Sequence, residues 1–146
     1  MAQTNPMTAS ISFHGNVACG GATSLVLKDD GTCIFHGHFH DAGFVPYGVA
    51  FAMVVHTDSG KAFSFTKSGR VSGTLEIIED ATKSRNFDWD ETLQNAAIKS
   101  AWPDIVKGFD FHWKAEVNVD VMKLLGDVVG IVKQAAPIVA TVVAVV

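Results

Sequence analysis

From Phe109 to Asp120 the chain alternates without a break. Phe109, Phe111, Trp113, Ala115, Val117 and Val119 hold one parity, and Asp110, His112, Lys114, Glu116, Asn118 and Asp120 hold the other. A helix would scatter these residues around its circumference, whereas a strand sends successive side chains to opposite faces. The segment predicts a β-strand with one face in a core and one in water.

Other segments read the same way. Residues 11–17 alternate, with Ile11, Phe13 and Val17 on one side and Ser12, His14 and Asn16 on the other; residues 1–9 look like a loose leader. Cys19-Gly20-Gly21 reads as a break. Residues 24–28 and 33–41 flank Asp29-Asp30-Gly31-Thr32, and Asp-Gly between two alternating runs is a strong hairpin signal. Residues 42–48 carry the Gly and Pro content of a loop, and residues 49–57 are apolar on both faces, as in a central strand. Asp58-Ser59-Gly60 and Ser68-Gly69 read as further turns, which leaves strands over 62–66 and 71–78 and a polar loop over 80–88. Successive tight turns imply neighbouring strands that pair in order.

Asp88 or Asp90 could cap a short helix over 91–101, with Leu93, Ala97 and Ala101 on one side and Pro103 ending it. The expected fold class is mainly β: an antiparallel β-sandwich or barrel built as a meander over residues 1–120. It carries a short helix near 90–101 and a C-terminal helix over 121–146.

That last segment has its own pattern. Val121, Leu125, Val128, Val132, Ala135, Val139, Val142 and Val146 step by fours and threes, a heptad-type seam. A narrow stripe containing Lys123, Gly126, Asp127, Gly130 and Lys133 lies opposite, and no charge follows Lys133. Gly126-x-x-x-Gly130 would let helices approach closely. Three readings compete: a helix packed on the sheet or across a homo-oligomer seam, a membrane-binding helix, and an edge strand over 138–146 favoured by its valines. Left bare, such a surface invites aggregation, so something must cover it.

Composition sets outer limits. The chain has 146 residues, enough for one domain with a real core. Its charged share is 18%, below the roughly 25% usual in soluble domains, and its net charge is −4. With no basic run, a nucleic-acid footprint is excluded. The N-terminus lacks the basic and apolar regions of a secretory signal, so a cytoplasmic or non-classically released protein is expected. Cys19 and Cys33 make no disulfide framework and no metal-type pair, and two free, partly buried thiols are expected.

The motif richest in chemistry is Phe35-His36-Gly37-His38-Phe39-His40-Asp41. In a strand, His36, His38 and His40 share one face while Phe35 and Phe39 point to the other. Same-face residues are about 6.5–7 Å apart, so two imidazoles can converge on one ion and a third needs a neighbouring strand. His14, His56 and His112 also fall on expected strands and could supply that help. Imidazole suits zinc, copper, nickel or iron. Three uses compete for His36, His38, His40 and Asp41: a solvated polar face, a ligand or pH-sensing site, and a metal site at His36, His38 and His40. Full protonation of the six histidines would move the formal charge from −4 to +2, and adjacent imidazolium groups would repel and loosen the strand. No nucleophile elbow and no phosphate-binding loop is present. No resident cofactor is expected apart from zinc or another transition ion on those histidines.

Residues 27–43, with their Asp-Gly-Thr turn and Gly-His-Phe-His-Asp strand, resemble a group of uncharacterised bacterial and fungal β domains that also share a Phe-His-Trp pattern like Phe111-His112-Trp113. The resemblance implies a β fold and a special role for residues 38–41, and it implies no reaction. The leading expectation is a non-enzymatic interaction module, a small membrane-active or self-assembling protein such as a toxin component. It would contact a membrane or another subunit through Val121, Leu125, Val128, Val132, Val139, Val142 and Val146. The alternative is a small metal-binding protein or metal-dependent enzyme. Expected partners are a second copy of the chain, a membrane or another protein.

Overall fold

A computed structural model describes residues 1–13 and 15–146. In chain order the elements are β1 (Met7–Ser12), β2 (Cys19–Leu27), β3 (Thr32–Asp41), β4 (Tyr47–Thr57), β5 (Ala62–Val71), α1 (Thr74–Glu79), β6 (Asn86–Gln94), α2 (Ala96–Lys107), β7 (Phe109–Val117), α3 (Val121–Ala135) and β8 (Val142–Ala144). The strands form two sheets, in the orders β1-β2-β3-β6 and β7-β4-β5-β8. The sheets pack face to face as a sandwich and do not close into a barrel.

Both Asp-Gly and Ser-Gly hairpins form where the sequence places them. Gly31 and Gly60 take φ of 89° and 95°, a region that a Cβ disfavours. Asp30 reinforces the first turn, its Oδ1 accepting from Thr32 N at 2.9 Å. The expected turn at Ser68-Gly69 does not exist, because β5 runs straight through it. The glycine serves packing instead: a Cβ on Gly69 would sit 2.6 Å from the ring of Phe87.

Other boundaries differ for equally physical reasons. Residues 1–9 are not a loose leader. Met7, Ala9 and Ile11 are buried core residues on β1, and Thr4 N donates to Leu27 O at 2.9 Å. The strand expected over 11–17 therefore starts earlier and stops at Ser12, and His14 lies outside the described residues. Gly20 and Gly21 continue β2, since a Cβ on Gly21 would collide with the β3 backbone at His38 and Phe39. Residues 74–79 are helical where a strand was expected, and residues 86–94 form β6 where a loop and helix start were expected. The helix begins only at Ala96. Asn95 caps it, its side chain accepting from Ile98 N at 3.1 Å, and neither Asp88 nor Asp90 does. Pro103 lies inside α2 and forgoes the bond to the Lys99 carbonyl, a loss offset by burial of Ile98, Ala101 and Ile105.

The main core lies between the sheets. Phe35 of β3 meets Phe51 of β4 and Phe65 of β5, with ring centroids 6.1 and 5.9 Å apart. Trp89 of β6 closes on Phe35 at 5.5 Å, over Gly37, where a Cβ would lie 2.5 Å from its ring. The cysteines are free and buried.

A second, smaller core sits on the outer face of β4. Ala50, Ala52, Val54 and Ala62 pack there against Leu124, Val128, Val132 and Val139. The face of β7 expected in water is thus partly roofed by α3, and His112, Lys114 and Glu116 are not all freely solvated: the first two are half-buried and only Glu116 is exposed. The helix ends at Ala135, not at residue 146. Beyond it, residues 142–144 form β8, parallel to β5, with Val145 N donating to Ser64 O at 2.9 Å and Thr66 N to Val146 O at 3.0 Å. The β-branched run caps the sheet edge, in keeping with the edge-strand alternative.

Candidate metal centre

Register, not sequence proximity, assembles the site. On β4 the residues Ala50, Ala52, Val54 and His56 share the outer face. In the antiparallel β4–β7 pairing, His56 lies opposite Asp110 and Val54 opposite His112. Period two keeps Asp110 and His112 on that same face, so two imidazoles and a carboxylate meet there. Their donor atoms all lie within 4.8 Å of one another, the one such group of His, Cys, Asp or Glu among the described residues.

The geometry is specific. The rings of His56 and His112 are 5.4 Å apart and 10° from parallel. His112 Nε2 stands 3.9 Å from Asp110 Oδ2. The other Asp110 oxygen accepts from Phe111 N at 2.8 Å, which orients the carboxylate. His56 is 8% exposed. Asp110 and His112 have side-chain exposures of 68% and 28%, so the patch is buried on one flank and wet on the other.

The Nε2 atoms of His56 and His112 are both buried without a protein hydrogen-bond partner. Leaving such an atom unsatisfied costs about 1–3 kcal/mol. The His56 pKa is lowered, chiefly by burial and then by the neighbouring His112; Asp110 and Asp58 push the other way and do not prevail. His56 is therefore held neutral at neutral pH, the form that ligates metals.

Two imidazoles and one carboxylate suit zinc and related first-row ions. Donors around one zinc lie about 3.3 Å apart, given bonds of about 2.0–2.2 Å. The three donor atoms, all within 4.8 Å of one another, would have to draw together to that spacing on binding.

The histidine strand sits elsewhere. His36, His38 and His40 do share one face of β3 and are exposed, on the outer side of the β1-β2-β3-β6 sheet. They stand opposite Asp90, Asp88 and Asn86 of β6, and His40 Nδ1 lies 2.7 Å from Asn86 Oδ1. His36, His38 and Asp88 line a shallow groove of about 490 Å³ floored by Ala22, Ser24 and Ser10. His56 and His112 cannot assist them, because they lie on the outer face of the opposite sheet. Asp41 is buried with the inward parity, away from the three rings; its Oδ1 accepts from Gly43 N at 2.8 Å. Arg85 ties that corner together by donating to Asp41 O at 2.9 Å. Burial pushes both thiols up to about 11, aided at Cys19 by the Asp41 charge, so neither is poised as a nucleophile.

Of the tail residues expected to meet a membrane or partner, Val128, Val132 and Val139 are buried in the second core, and Val121, Leu125 and Val142 pack beside them. Val146 packs against the main core. No helix among the described residues is long and apolar enough to cross a membrane.

Fold and site together define a two-sheet β-sandwich with a helical third layer and a histidine–carboxylate patch beside that layer. The chain matches no family model, no curated protein and no solved structure. The resemblance of residues 27–43 accordingly supplies no family.

Proposed function

We propose that this protein is a small metal-binding β-sandwich that holds one first-row transition ion, zinc in the first instance, at His56, Asp110 and His112. The observation that carries the reading is the pair of buried, unpartnered Nε2 atoms beside an oriented carboxylate. An ion between them would satisfy both nitrogens and join adjacent strands. Binding is the function proposed, with no reaction attached. The test is a calorimetric titration of metal-free, untagged protein with zinc. One site per chain is expected, abolished in His56→Ala and in His112→Ala and retained when His36, His38 and His40 are all replaced by Ala. Equal binding by the His112→Ala variant would sink the proposal.

A second reading, the interaction module, is favoured by a separate observation. Phe44, Val45, Leu75 and Ile78 are exposed on two segments joined by Leu75 N donating to Phe44 O at 3.1 Å. A protein that self-assembles or meets a membrane would offer this patch, since the seam of the tail is occupied internally. Comparing the wild type with Phe44→Ser and Ile78→Ser in dilute-solution size measurements and liposome flotation tests it; identical behaviour of all three would remove it.

A further inference from the structure

We infer that the ion held by His56, Asp110 and His112 keeps an exchangeable coordination position on its Asp110 side, and that a small monodentate anion can replace water there. The inference rests on the metal-binding reading above and adds the ligand class of the same site.

The number of donors is the first argument. Structural zinc sites are closed by four protein ligands, whereas sites with three keep a position for water or an external ligand. Here three side chains converge, and no fourth His, Cys, Asp or Glu joins them among the described residues. The neighbours of His56 on its face are Val54 and Ala62, which belong to the apolar cluster with Val132 and Val139. That flank offers no donor side chain.

The direction of the opening is the second argument. Both Nε2 atoms are buried, while the Asp110 side chain is 68% exposed and that of His112 is 28% exposed. An ion bridging these groups is approached from the Asp110 flank, so the remaining position faces solvent.

Charge is the third. A divalent ion with two neutral imidazoles and one carboxylate retains a single positive charge at the centre. A monovalent anion neutralises it. Asp58, near enough to act on His56, weakens the field but is not one of the three converging donors. Coordination rather than long-range attraction would therefore hold the anion, which favours small, good ligands such as azide.

Cobalt(II) makes the site visible. Metal-free protein is titrated with cobalt(II), and the visible absorption is followed before and after addition of sodium azide. The expected result is bands that saturate at one equivalent and then shift saturably with azide, with the same behaviour when His36, His38 and His40 are replaced by Ala. Bands that saturate but do not move with azide would overturn the open position and leave metal binding standing. No bands at one equivalent, or bands that vanish only when the β3 histidines are replaced, would overturn both readings.

Discussion

His56 and His112 lie two residues apart in register on adjacent antiparallel strands, with rings 5.4 Å apart and neither Nε2 bonded to protein. Bound metal should therefore stabilise the fold and not only occupy it. At a free zinc concentration a hundred times the dissociation constant, linkage gives about 2.7 kcal/mol. For a chain of this length each kcal/mol shifts Tm by about 2–4 °C, so a rise of about 5–11 °C is expected. Differential scanning fluorimetry with zinc, then with excess chelator, checks it. His112→Ala should show no zinc-dependent shift.

The same pair predicts how the metal-free protein responds to acid. The folded-state pKa of His56 lies below its unfolded value of about 6.5. The unfolded chain then binds more protons between the two values, so stability rises with pH across that window. It is fully present above about pH 6.5 and is lost as pH falls through the folded pKa. The neighbouring His112 adds to the lowering, and Asp110 and Asp58 limit it. Tm measured from pH 7.5 to 5 with chelator present should fall, and less steeply in His56→Asn. Parallel curves for the two proteins would contradict the assignment to His56.

How far the sequence could be read depended on whether the signal was local. Asp30-Gly31 and Ser59-Gly60 announced their hairpins because the turn conformation itself requires glycine. Gly69 misled because its reason, the ring of Phe87, lies on another sheet. Phe87, Trp89 and Leu93 alternate with Asp88, Asp90 and Thr92, a strand signal present in residues 86–94 but outweighed by the carboxylates that suggested a helix cap. The common face of His36, His38 and His40 follows from period two alone. The pairing of His56 with residues of β7 does not, because only the β4–β7 register joins them. Local patterning places both histidines on strands, but it carries no information that they meet.

Glycines on α3 separate internal packing from association. At Gly126 and Gly130 a Cβ would find nothing within 4 Å, so no described element of the same chain uses their small size. Gly126→Ala should stabilise the protein by about 0.5–1 kcal/mol through helix propensity. Gly37→Ala should instead cost about 1–3 kcal/mol or more, because the added methyl meets the Trp89 ring and the Ala22 carbonyl. Urea denaturation gives both values. Destabilisation by Gly126→Ala that depends on protein concentration would show that a second chain packs there.

The tail supplies the last prediction. β8 covers the free edge of β5 through three paired residues, and Thr66 holds the Val146 carbonyl by its N–H at 3.0 Å and its hydroxyl at 2.9 Å. Val145 and Val146 also pack against the main core. A chain ending at Thr141 would bare the backbone of an apolar edge strand, the arrangement that recruits strands from other molecules. It should melt at a lower temperature and associate at concentrations where the full chain does not, as read by light scattering. Thr66→Val keeps the edge covered and loses only the hydroxyl bond. It should cost about 0.5–1.5 kcal/mol without association, which separates loss of stability from exposure of the edge.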